Sequence, residues 1–328
     1  MCIVKTRDKI LKLIRKHQQL SIHDLSQLLK TSRQYVHRII SELEEEKAIQ
    51  KWGKAPHVFY ALADDNNLTT NESIDFDKEL FLKTHFLLID ALGNRLEGLN
   101  AMKYWCYKQK LELTKTIQTY YETRTKYLHY LNSNGMIDGK SKLENTEGIN
   151  EIGVDELFYL DFYAIERFGK TRLGTLMHYA KQGQNKELMK QIVDEIKQRI
   201  YNFISRENVD AIVFVPPTIA RKIQIMSVLE KLLEIPLPIV KVNKIKTPIT
   251  VPQKALSKIF ERLANAKNTF VVPAQSCYNH VLIIDDAIGS GATINEIALK
   301  IKHKRIASKI SGLAITGSFK GFDVISEL

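Results

Sequence analysis

The chain has 328 residues, 44% hydrophobic and 9% aromatic, which gives room for two or three globular domains and excludes a disordered composition. Its 48 basic and 37 acidic side chains leave a formal charge of +11, which points to an anionic partner such as nucleic acid or a phosphate-rich ligand. The scattered Cys2, Cys106 and Cys277 argue against a disulfide framework or a metal site. No run reaches the roughly 18 apolar residues of a membrane span, and the opening "MCIVKTRDKI" has no apolar core of signal-peptide length. A soluble cytoplasmic protein without membrane attachment is therefore expected.

Residues 6–17 place Ile10, Leu13 and Ile14 at helical spacing. A second helix follows, with Ser21 as N-cap and Ile22, Leu25, Leu28 and Leu29 as its buried stripe. After the short "KTSR" turn, a longer helix turns Val36, Ile39, Ile40 and Leu43 inward and Arg33, Gln34, His37 and Arg38 outward. That outward half carries the donors that read base edges and phosphates in a major groove. "AIQKWGKAPHVFYAL" then alternates like two strands around "GKAP", a hairpin carrying Lys51, Trp52 and Lys54. The segment resembles the winged helix-turn-helix domains of bacterial regulators, which implies DNA binding; winged helices also serve as protein-docking modules.

"LADDNNLTTNES" (62–73) reads as a linker. Residues 75–131 predict two or three long helices broken near "LGNRLEGLN". Their rings, among them Tyr104, Trp105, Tyr107, Tyr120, Tyr121, Tyr127 and Tyr130, could form a stacking platform for bases, but their helical spacing beside aliphatic residues favours helix packing or a homo-oligomer interface. "LNSNGMIDGKSKLENTEGINEIG" (131–153) is loop-like.

Helical patterns with some apolar runs cover 155–204. Beyond them come a buried strand at Ala211–Val215, a helix, "PIVKVNKI" and "TFVVP" as further strands, "HVLIIDD" as a strand, "ATINEIALKIKHK" as a helix and "ISGLAIT" as a last strand. Alternating strands and helices predict an α/β domain with a mainly parallel sheet, binding ligand at strand carboxyl ends. "VLIIDDAIGSGATINE" supplies a strand, two acids, a loop of small residues and a helix N-terminus, the parts of a phosphate cradle. Gly289 and Gly291 permit close backbone approach, and Ser290 and Thr293 add hydroxyls. It is neither a Walker A loop nor a dinucleotide fingerprint. Asp285 and Asp286 can instead accept hydrogen bonds from the 2- and 3-hydroxyls of a ribose 5-phosphate.

"VLIIDDAIGSGAT" resembles the phosphoribosyl pyrophosphate (PRPP) motif of type I phosphoribosyltransferases. Gln253, Leu256, Ser257, Arg262, Asn265 and Phe270, with "VPPTIARKIQ" and, loosely, "MHYAKQGQNKELMKQI", are similar to the ComF-type branch over about 155–328. The resemblance implies that Asp285 and Asp286 hold the ribose and that Ala287, Ile288, Gly289, Ser290, Gly291, Ala292 and Thr293 hold the 5-phosphate. It implies a pyrophosphate loop of Val215, Pro216, Pro217 and Thr218 with Arg221 and Lys222 beside it. It also implies a flexible loop carrying Lys244, Lys246 and Lys254, and Mg²⁺ accompanying PRPP. Lys222 stands where the family commonly has glycine, and Gly289 where 6-oxopurine-using relatives have an aspartate base.

The expected architecture is multidomain, α and α/β: a winged helix over 1–64, a helical linker and oligomerisation region over 65–153, and a phosphoribosyltransferase-like domain with a mainly parallel sheet over 154–328. No catalytic residue is identified. The expected function is a DNA-binding regulator that takes PRPP or a related nucleotide as ligand. The alternative is an active phosphoribosyltransferase or nucleotide-modifying effector, as in a retron-type anti-phage system, docked to nucleic acid or nucleoprotein by its winged helix.

Overall fold

The computed structural model describes residues 2–17, 19–46, 48–54, 57–62, 74–245, 259–273 and 276–319. The chain divides into two compact units, Met1–Asn71 and Glu72–Leu328.

The first unit comprises α1 (Cys2–His17), α2 (Ile22–Leu29), α3 (Arg33–Glu45), β1 (Ile49–Lys54) and β2 (His57–Leu62). Ser21 caps α2 in a reciprocal box with Asp24, and Ser32 caps α3 through the Tyr35 N–H. Val36, Ile39, Ile40 and Leu43 of α3 pack on Ile10, Ile14 and Leu25, closing a core with Ile49 and Tyr60 of the hairpin. The strands pair antiparallel from Ile49↔Leu62 to Lys54↔His57. One expected core residue differs: Leu28 is half exposed, because it falls on the outer side of the last turn of α2.

The second unit begins with α4 (Phe76–His85), the hairpin β3 (Leu87–Ile89) and β4 (Arg95–Glu97), α5 (Gly98–Gln109) and α6 (Leu113–Leu128). Next come β5 (Ile137–Asp138), α7 (Lys140–Glu144), β6 (Glu156–Phe162), the short strands β7 (Ala164–Ile165) and β8 (Gly169–Lys170), α8 (Arg172–Gln182) and α9 (Lys186–Arg206). The chain continues through β9 (Ala211–Phe214), α10 (Ile225–Leu233), β10 (Asn243–Lys244), α11 (Ile259–Thr269) and β11 (Phe270–Val271). It ends in β12 (Tyr278–Ile288), α12 (Ala292–His303) and β13 (Ala307–Gly317).

The main sheet has five strands in the order β5-β6-β13-β12-β9. All neighbours are parallel except β5 on the edge. Both faces are covered, so the middles of β9 and β12 read as continuous apolar runs, while polar residues gather at the strand ends. In β12, Val281 and Ile283 enter one core while Leu282 and Ile284 enter the other. The first core includes α11, α12 and the helices of the 76–128 region; the second includes α8, α9 and α10.

Several segments differ from expectation. "ELFYLDF", placed within a helical stretch, is the interior strand β6, between β5 and β13. "PIVKVNKI" is not one strand: Ile239 bridges to Ile212 beside β9, and Asn243–Lys244 pairs with Phe270–Val271. The segment 74–138 shares the core of β12 and α12, with Leu82, Met102, Ile117 and Tyr120 buried there. A buried bidentate pair fixes α6 to β6: the Arg124 guanidinium donates to both Asp161 carboxylate oxygens at 2.8 Å. Of the middle rings, Tyr120 and Tyr127 pack inside, whereas Tyr107 and Tyr130 are exposed.

Candidate functional site

β9 leads through α10 to the Ile239 bridge on one side of the sheet, and β12 leads through α12 to β13 on the other. The connections diverge at neighbouring strands, which opens a crevice at their carboxyl ends. A cavity of about 510 Å³ occupies it, lined by 215–219 after β9, by 285–294 and by Lys181, Arg221 and Arg262. The structure thus gathers Pro216, Pro217, Thr218 and Arg221 with all the residues from Asp285 to Thr293.

The two acids lie within β12, which runs on through Ala287 and Ile288; the turn itself is Gly289–Gly291, and Ala292 and Thr293 open α12. Gly291 has a left-handed φ of 77°, and a Cβ there would collide with Leu143, so only glycine fits. The first N–H groups of α12 have no partner within the helix and face this end of the sheet. Burial, and then the adjacent Asp286 carboxylate, push Asp285 up to about 7. Asp285 accepts the Asp286 N–H at 2.7 Å.

Lys181, at the end of α8, donates its ammonium to Asp286. The Arg221 guanidinium donates to the Lys181 carbonyl and, at 3.4 Å, to Gln182 Oε1. Gln184 Oε1 accepts the Ile223 N–H at 2.9 Å. The end of α8 therefore ties the loop after β9 to the acidic pair. Sequence reading did not single out Lys181, because 105 residues separate it from Asp286.

Other expected residues lie elsewhere. Lys222 is exposed and does not line the cavity. Lys244 donates to Thr269 Oγ1 at 2.8 Å and Asn265 Oδ1 at 3.3 Å and sits over the Phe270 ring, with burial pushing it down to about 8. It pins β10 to α11 and β11. Lys246, Gln253, Lys254, Leu256 and Ser257 lie outside the described residues.

A second cavity, about 660 Å³, lies over the ends of β6 and β13 and shares Ala287 and Ile288 with the first. Its wall is aromatic, from Phe86, Trp105, Tyr127, Tyr163, Phe168 and Tyr179. Thr316 also lines it, and its buried hydroxyl has no hydrogen-bond partner among the described residues.

On the first unit, Arg33, Gln34, His37 and Arg38 all lie exposed on α3, and Lys51 is exposed on β1. Arg33 meets the His23 ring, while Arg38 lies 5.4 Å over Tyr35 and 4.0 Å from Glu42. Lys54 lies in β1, its side chain outside the described set. Among the described residues no helix is long and apolar enough to cross a membrane.

Residues 5–50 match the family described as winged helix-turn-helix DNA-binding. None of the curated proteins matches the chain. The N-terminal segment is thus a winged helix-turn-helix, which supports a DNA-binding role.

Proposed function

We propose that the chain is a DNA-binding regulator whose α/β unit binds a phosphoribosyl ligand, PRPP or a related nucleotide, in the crevice between β9 and β12. One observation carries this reading: Asp285 and Asp286 share a cavity with a glycine turn that leads directly into the N-terminus of α12. Carboxylates accept the hydroxyls of a diol, and the turn with the helix dipole favours its 5-phosphate. Arg221 and Arg262 on the cavity wall suit a second anionic group.

Mg²⁺ is part of this proposal as the companion of PRPP. Among the described residues no group of three or more His, Cys, Asp or Glu side chains could cage it, and Lys181 engages Asp286. Mg²⁺ would there offset the charge of the ligand's diphosphate.

Calorimetry on the full chain tests the ligand. Replacing Asp285→Asn and Asp286→Asn together is expected to weaken PRPP binding at least about tenfold, a loss of about 1.4 kcal/mol; unchanged affinity rejects the assignment. For the winged helix, Arg33→Ala with Arg38→Ala is expected to weaken DNA binding about tenfold and flatten its salt dependence by about two charges. Retained affinity would turn the reading toward protein docking.

A second reading, an active phosphoribosyltransferase, is favoured by the aromatic cavity that shares a wall with the polar one. It offers space for an acceptor ring beside C1 of the ribose. Displacement would form a bond from the acceptor to C1 and release pyrophosphate, with Arg221 stabilising the leaving charge. Release of pyrophosphate from PRPP in the presence of a nucleobase or nucleic acid separates the two readings.

A further inference from the structure

We infer that Lys181 sets the specificity of the β9–β12 cavity: it engages the acidic pair and makes the site select a phosphoribosyl ligand with an anionic group on C1. The inference rests on the phosphoribosyl reading and deepens it.

Its basis is the divided attachment of this one residue. The backbone of Lys181, at the end of α8, is tied to the loop after β9, since its carbonyl accepts the Arg221 guanidinium. Gln184, three residues on, takes the Ile223 N–H of the same loop. The side chain crosses to the other wall and gives its ammonium to Asp286. Asp286 is 15% exposed and the Lys181 side chain 33% exposed, so the bond is partly shielded from water and is more than a solvated surface pair.

A ribose diol seated on Asp285 and Asp286 needs the oxygen that Lys181 now occupies. Ligand binding is then an exchange in which a hydroxyl replaces the ammonium on Asp286. Lys181 must find a new partner, and its anchored backbone limits the search to the side of the 215–224 loop, where Arg221 and Arg262 also line the cavity. A diphosphate on C1 supplies that partner. A hydroxyl or an uncharged base on C1 does not, and leaves an ammonium displaced without compensation. Lys181 thus opposes every diol equally and rewards only those with charge at C1. The same ammonium, bonded to Asp286, offsets the charge of the adjacent carboxylates.

The test is calorimetry on the full chain with PRPP and with ribose 5-phosphate, for wild type, Lys181→Gln and Lys181→Arg. Wild type is expected to prefer PRPP by at least about tenfold. Lys181→Gln is expected to weaken PRPP about tenfold while leaving ribose 5-phosphate unchanged or tighter, because the competing cation is gone. Lys181→Arg is expected to keep the preference. The backbone carbonyl that Arg221 uses survives both changes, and unfolding curves verify the fold; if Lys181→Gln does not fold, Lys181→Met keeps the stem and replaces it. Equal losses for both ligands, or no loss for either, overturn the role of Lys181 and leave the phosphoribosyl reading standing. Failure of both ligands to bind the wild type overturns the two together.

Discussion

The two ends of the parallel sheet treat polar groups in opposite ways. At the amino-terminal end, Asp210 accepts the Asn279 N–H at 2.8 Å and the His280 N–H at 2.9 Å, and Asp155 accepts the Ile310 N–H at 2.8 Å and Lys302 at 2.9 Å. The His280 ring meets the Glu207 carbonyl at 2.9 Å and the Ser311 hydroxyl at 2.8 Å, and Ser311 donates to Glu156 at 2.9 Å. The Lys309 ammonium holds Glu207 below the usual carboxylate range. At the carboxyl end Arg124 and Asp161 pair with each other, but burial and a like charge raise Asp285, and the Thr316 hydroxyl has no partner among the described residues. Groups that saturate one another hold a fold together; groups left in conflict have a use for something from solution.

The largest expected effect on stability is therefore at the closed end. His280→Ala removes a ring that is 3% exposed and bonded through both nitrogens, and is expected to cost about 3 kcal/mol in denaturant unfolding. PRPP affinity should change less than about twofold, an effect below about 0.4 kcal/mol. A silent His280→Ala would break the contrast. Asp285→Asn, at the open end, should act the other way, with ligand affinity lost and the unfolding midpoint unchanged or raised. A midpoint lowered by several degrees would move Asp285 into the structural class.

The legibility of these regions in sequence follows the range of the contacts that define them. The winged helix is set by caps and by the spacing of Val36, Ile39, Ile40 and Leu43, all local features. The cradle at 285–293 is equally local, because strand, turn and helix follow in order. β6 was hidden because a strand buried on both faces has no alternation, and "ELFYLDF" matches a buried helix as well as a strand. The contacts of Lys244 with Thr269 and Asn265 come from pairing of β10 with β11, which no local pattern announces. Arg124 and Lys181 were unreadable for the same reason: Asp161 and Asp286 are brought to them by tertiary packing alone.

The smallest effect, and the finest probe of the contrast, is pH. Asp285 has a folded pKa near 7 against an ordinary value of 3.8, the reverse of a salt-bridged acid. The native state therefore binds more protons than the unfolded chain between these values. The stability from this group is fully present below about 4 and is lost as pH rises through about 7, with a slope no steeper than about 1.4 kcal/mol per pH unit. His85 works in the opposite sense. Burial, and then Arg124, lower it from 6.5 to about 4, so its contribution is present above 6.5 and lost as pH falls through 4. The raw profile mixes the two, and the difference between wild type and Asp285→Asn isolates the first. That difference should shift against the wild type as pH is raised from 4 to 7, and should level off above it. A flat difference would mean that Asp285 is ionised throughout, with Lys181 neutralising both acids.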